Sequence, residues 1–109
     1  MVPEIKLHLI TNDMDVWRSP FTANEGLFTE GDGPYWAIFW PGGQALVRHI
    51  LNFPSLVRGK RVLDMGCGCG AASIAALLAG CQSCVANDID INALAATDLN
   101  ADLHLEENQ

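Results

Sequence analysis

Short apolar runs alternating with helical spacing organise the C-terminal two thirds of the chain. Val62 and Leu63 run into Asp64 and Met65 as a buried strand that ends on an acid. Glycines at 66, 68 and 70 follow, and then the small-residue stretch Ala71–Ala79, which predicts a helix. Cys84, Val85 and Ala86 predict a second strand, ending at Asn87 and Asp88. Ile91, Leu94, Ala95, Leu99 and Leu103 recur at helical spacing, predicting a helix to about Leu105 that packs these residues on the sheet, with Asp90 as its N-cap. Upstream, a helix is expected from about Gln44 to Leu51, with Ala45, Leu46, Val47, Ile50 and Leu51 inward and Arg48 and His49 off that face; Pro54 ends it. Strand, helix and strand in this order predict a βαβ unit with two parallel strands and flanking helices, an α/β fold.

The first third is less regular. Residues 3–10 fit either a helix start at Pro3 and Glu4 or a strand alternating through Ile5, Leu7 and Leu9. Residues 11–35 are rich in Asp, Asn, Gly, Ser and Pro and read as an irregular lead-in, with Trp17, Phe21, Leu27 and Phe28 expected to pin it to the core. The domain division is a lead-in over 1–33 and a ligand-binding portion over 34–109.

Composition narrows the partners. The chain has 109 residues, half of them apolar, enough for one small domain. Thirteen acids against six bases give a net charge of −7, a surface that repels phosphate backbones, so no nucleic-acid partner is expected. The apolar runs are too short to span a bilayer. The N-terminus shows neither a secretory core nor an Arg-rich presequence. Cys67, Cys69, Cys81 and Cys84 have ligand-like spacings, but the intervening helix would separate the two pairs by roughly 10 Å or more, at about 1.5 Å per residue. No metal site is expected, and free thiols fit a reducing compartment.

The chemistry lies in the turn. Alternating glycines let the backbone turn sharply and approach a ligand, and the amides opening the next helix face that ligand. Gly66, Gly68 and Ala71 satisfy the looser dinucleotide fingerprint, which leaves an NAD(P)-binding oxidoreductase as one reading. Asp64 argues against it, because a carboxylate two residues before the first glycine would face an anionic pyrophosphate. S-adenosylmethionine carries an ammonium and a sulfonium and no phosphate, and suits that acid. Asp64, Gly66, Gly68 and Gly70 match, position by position, the D-x-G-x-G-x-G motif of the class I, seven-stranded methyltransferases, with Cys67 inside it. Asp88, about 20 residues on, is positioned to accept bonds from ribose hydroxyls, a device both cofactor classes share.

The segment Tyr35–Gly43 adds an aromatic wall followed by Pro-Gly-Gly. Ile38 and Phe39 are expected in the core, while Trp40 is either core or a contact to adenine or the sulfonium. His8, His49 and His104 lack any relay and read as surface residues.

Pro34–Ala37, the run Trp40-Pro41-Gly42-Gly43-Gln44-Ala45-Leu46, Arg58–Asp64 and Ala86–Asp90 together resemble one family closely, the electron transfer flavoprotein β-subunit lysine methyltransferases. The likeness extends over nearly the whole chain, from Pro3-Glu4-Ile5 onward, and is weakest between Asp13 and Asp32. It implies a Rossmann-like class I methyltransferase fold, of which this is the N-terminal part. It also implies S-adenosyl-L-methionine as cofactor, the flavoprotein β subunit as partner, and the mitochondrial matrix as location, otherwise the cytoplasm. Trp40, Gly42 and Gly43 become cofactor contacts by the same resemblance, and no catalytic residue is named. Family members continue with further strands, so the expectation is a fragment or short isoform, inactive alone and exposing apolar surface. A non-catalytic isoform that binds only cofactor or partner is the alternative.

Overall fold

A computed structural model describes residues 2–9 and 35–107, with the backbone alone for 105–107. The expected anchors Trp17, Phe21, Leu27 and Phe28 lie outside the described residues. Helix α1 spans Pro41–Asn52, strand β1 Arg61–Met65, helix α2 Ala71–Leu78, strand β2 Ser83–Asn87 and helix α3 Ile91–Glu107, with 3-10 turns at Tyr35–Ala37 and Pro54–Leu56. The strands pair in parallel, Arg61 beside Ser83 through Met65 beside Asn87. Two hydrogen bonds prolong the pairing: Gln82 N to Lys60 O (2.8 Å) at the entry and Cys67 N to Asn87 O (2.8 Å) at the exit.

Helix α1 begins three residues before the expected start. Proline at its first position has the right φ and gives up an N–H that would have no partner there. Gln44 N then closes the first turn on Trp40 O (2.9 Å), so Pro-Gly-Gly is helix and not a loose linker. Helix α2 stops at Gly80, whose φ of +91° allows the double closure Gly80 N to Leu77 O and Cys81 N to Ala76 O. Asp90 caps α3 as expected, its Oδ1 accepting from Asn92 N at 2.8 Å.

Residues 2–9 settle as a turn followed by an extended arm, with Val2 and Ile5 buried. They join Val47 and Ile50 of α1, Ile74 and Ala75 of α2 and its C-cap Ala79 in the core, against which Phe39 also packs. Glu4 and Arg48 pair across this junction at 2.8 Å.

Two apolar stripes differ from expectation. On α1 only Val47 and Ile50 are fully buried and Leu51 partly so, whereas Ala45 and Leu46 face solvent. The i, i+3, i+4 set that meets α2 excludes them. On α3 the buried face is Ala93, Ala96, Thr97, Asn100 and His104, while Ile91, Ala95 and Leu99 are exposed. Backbone carbonyls and amides of the neighbouring turn and arm need partners there, and small or polar side chains reach them where leucines would not. His104 is thus buried, contrary to the surface reading: its Nε2 accepts from Lys6 N at 3.1 Å.

The sheet is covered on one face. Val62, Asp64, Cys84 and Ala86 turn toward the helices, while Leu63, Met65 and Val85 are 59%, 72% and 61% exposed on the other. Parallel sheets normally bury both faces. Among the described residues nothing covers this one.

Candidate functional site

The turn from Gly66 to Gly70 sits at the C-terminal ends of both strands, the end where open α/β sheets bind ligands. Gly66, Gly68 and Gly70 have φ of +69°, +53° and +86°, a region side chains disfavour. Gly70 has a second constraint. A Cβ there would stand 2.7 Å from Thr97 Cγ2 and 2.8 Å from its Oγ1, so α3 fills the space that glycine opens. At Gly68 the close neighbour is the Trp36 backbone, 3.8 Å from where a Cβ would lie, which seats the 3-10 turn beside the glycines.

The two acids meet this turn differently. Asp88 Oδ2 accepts from Gly68 N at 2.9 Å and its Oδ1 from Asp90 N at 2.9 Å. A carboxylate offers about four lone-pair positions, so two protein donors leave room for a vicinal diol. Asp64 Oδ2 accepts from the Ser73 hydroxyl at 2.6 Å, while Oδ1 takes no bond from the described residues. Gly70, the N-cap of α2, has no side chain to cap the opening amides, which carry partial positive charge at the turn.

Trp40, Gly42 and Gly43 lie at the start of α1, and no hydrogen bond joins them to the glycine turn. Trp40 is half exposed, its indole N–H donating to Tyr35 O at 3.0 Å and its ring 6.3 Å from that of Tyr35. Gly42 has open space where a Cβ would be, and Gly43 faces the Phe39 ring at 3.7 Å. Trp36 is what connects this segment to the turn.

Cys67 and Cys69, the two thiols of the glycine turn, are buried. Burial pushes the Cys67 thiol up, opposed by the Thr97 contact at 3.4 Å and reinforced by the charges of Asp64 and Asp88. Burial likewise raises Cys69. Both stay protonated at neutral pH, and thiolate is the reactive form. Among the described residues, no three of His, Cys, Asp and Glu gather closely enough to hold an ion.

Several site residues carry no motif signal. Ser73 orients Asp64 from nine positions away. Thr97 donates to Gly68 O at 3.2 Å, and Asn100 Nδ2 donates to Cys69 O at 2.8 Å. The spacing of Thr97, Asn100 and His104 along one face of a helix was the available clue. Ile89, directly after Asp88, is fully exposed and offers an apolar surface at the rim. A separate apolar cleft of about 350 Å³ lies between His8, Trp36, Ala95 and Leu99, and no residue of the glycine turn lines it. The Trp36 indole N–H is buried and has no hydrogen-bond partner among the described residues.

Residues 50–109, more than half the chain, match the family model for ribosomal protein L11 methyltransferase (PrmA). The chain belongs to that methyltransferase family. The electron transfer flavoprotein beta subunit lysine methyltransferase of Xenopus laevis is 53% identical over 104 residues, 95% of this chain and 40% of that protein. The Homo sapiens protein of the same name is 48% identical over 104 residues, 95% of this chain and 38% of its own length. The chain thus spans about two fifths of these relatives. The crystal structure of PH1948 from Pyrococcus horikoshii, a protein proposed to be an RNA methyltransferase, superposes with a TM-score of 0.55 at 26% identity, over 71% of this chain and 40% of that one. The parallel strands and flanking helices are those of the Rossmann-like methyltransferase fold, as the resemblance implied.

Proposed function

We propose that this chain forms the S-adenosylmethionine-binding part of a protein-lysine N-methyltransferase acting on the electron transfer flavoprotein β subunit. The observation that carries the reading is the bond from Gly68 N to Asp88, with Asp64 of β1 oriented by Ser73 of α2 on either side of the same turn. A ribose-binding acid and a second, partly free carboxylate flank backbone amides, a donor set that fits a cationic adenosyl ligand better than a pyrophosphate. Methyltransferase membership favours the same cofactor over a nicotinamide, and the relatives' names supply the substrate.

Asp88 would hold the ribose hydroxyls and Asp64 the ammonium end, with Gly66, Cys67, Gly68 and Gly70 shaping the backbone between them. Ile89 would give the adenine an apolar contact, and Trp40, Gly42 and Gly43 would close the opposite side. When bound, the cofactor would supply an electrophilic methyl carbon on its sulfonium for an unprotonated lysine amine. The chain's share of that reaction is orientation at near-attack distance. The bare face of Leu63, Met65 and Val85 supports a division of labour in which further structure covers the sheet and presents the lysine. The β subunit would be met in the mitochondrial matrix, and the −7 charge disfavours a nucleic-acid substrate.

Calorimetric titration with S-adenosylhomocysteine, alongside NADH, tests the reading. Binding of the adenosyl ligand, weakened at least about tenfold by Asp88→Ala, is expected, as a charge-assisted hydrogen bond contributes about 1.5–3 kcal/mol. Binding of NADH alone would overturn the assignment.

A further inference from the structure

The Asn100 side chain is completely buried and joins two segments that are remote in sequence. Its Oδ1 accepts from His8 N at 2.6 Å, and its Nδ2 donates to Cys69 O at 2.8 Å. A carboxamide provides an acceptor and a donor in one rigid plane. Aspartate lacks the donor, and leucine lacks both. One helical turn further, His104 accepts from Lys6 N, so the arm docks on α3 through its own backbone amides.

The bond to Cys69 O has a consequence for the turn. In a trans peptide the C=O and the following N–H point in opposite directions. Thr97 holds Gly68 O against α3, which directs Cys69 N–H away from the helix. Asn100 does the same to Cys69 O, and Gly70 N–H then reaches back to Cys67 O at 2.8 Å. The orientation of successive peptides in the turn is therefore set from α3, and one of the two side chains setting it is also the arm's docking point.

We propose that Asn100 is a positioning residue for the glycine turn, and that docking of residues 5–9 on α3 tightens that turn and raises its affinity for S-adenosyl ligands. The affinity half rests on the cofactor reading above; the coupling half does not. The decisive variant is His8→Pro, which removes the single N–H that Asn100 accepts and leaves Asn100 intact. His8→Ala is its control, since it keeps the N–H.

Amide hydrogen exchange of the unliganded chain reads the coupling. Exchange across residues 66–72 should accelerate about three- to tenfold in His8→Pro, the range expected for one lost hydrogen bond, with residues 83–87 unchanged and His8→Ala like wild type. Asn100→Asp, which loses the donor to Cys69 O, should free 66–72 while the arm's amides stay protected. Unchanged exchange at 66–72 in His8→Pro would overturn the coupling, as would equal acceleration of every segment, which reports global destabilisation. Titration with S-adenosylhomocysteine should show a Kd raised about three- to tenfold in His8→Pro and unmoved in His8→Ala. An unchanged Kd in His8→Pro would overturn the affinity half. If wild type itself did not bind, the cofactor reading and the affinity half would fall together, while exchange would still decide the coupling.

Discussion

Gly70→Ala separates two reasons for a glycine that a motif cannot tell apart. At Gly66 the backbone has φ +69° and a Cβ would meet open space, so Gly66→Ala should cost only the left-handed backbone penalty of about 1–2 kcal/mol. Gly70 has φ +86° and would also drive its Cβ within 2.7–3.0 Å of three Thr97 atoms. Thr97 cannot swing aside without giving up its bond to Gly68 O and its contact with Cys67 Sγ. The overpacking adds about 1–3 kcal/mol, for a total of about 2–5 kcal/mol. Any gain from a stiffer unfolded chain applies to both variants and cancels in their difference. Thr97→Ala alone loses the bond to Gly68 O, the weaker one to Cys67 Sγ and a buried methyl, about 2–3 kcal/mol. It also clears the space, so the Gly70→Ala, Thr97→Ala double variant should be more stable than additivity predicts by about 1–3 kcal/mol. Urea unfolding followed by tryptophan fluorescence measures all four at constant m. Equal losses for Gly66→Ala and Gly70→Ala, or strict additivity in the double variant, would refute the steric argument.

Three more outcomes are expected. Ile74→Ala should destabilise by about 2–5 kcal/mol, since Ile74 is 1% exposed at the centre of the core, whereas Leu63→Ser on the bare sheet face should change stability by less than about 0.5 kcal/mol in the same urea assay. Stability should fall as pH rises past the ordinary thiol value of 9.0, because Cys67 and Cys69 hold their protons in the folded chain beyond the point where the unfolded chain releases them. Their contribution is complete below that value and disappears upward through the raised folded values. Thermal melts across alkaline pH should show the decline, and Cys67→Ala with Cys69→Ala should reduce it, leaving the share of Cys81, which burial also raises. Ser73→Ala should cost about 1 kcal/mol in urea and weaken S-adenosylhomocysteine severalfold in titration, by releasing Asp64; an unchanged affinity would remove Asp64 orientation from the site.

Local physics made part of this protein legible from its sequence. The strands at Val62 and Val85, the cap at Asp90, the proline stop at Pro54 and the glycine turn between Asp64 and Ala71 depend on neighbours a few residues away, so periodicity and backbone preference suffice to find them. Spacing alone also placed Asp88 at the end of the second strand, and its contact with Gly68 follows from parallel pairing. The face each helix buries was not legible in this way. Leu94, Ala95 and Leu99 form a plausible apolar stripe on α3, yet α3 turns Thr97, Asn100 and His104 inward. That choice rests on unpaired carbonyls at Gly68 and Cys69 and on the amides of the arm, groups that are distant in sequence and become neighbours only on folding. The same holds for Gly70, whose glycine answers to Thr97, and for Leu63, which reads as part of a buried strand but lies with Val85 on the uncovered face of the sheet. Where a residue's partners are local, the order of amino acids determines its state; where they are brought from afar, the need to satisfy buried backbone groups decides it in the assembled structure.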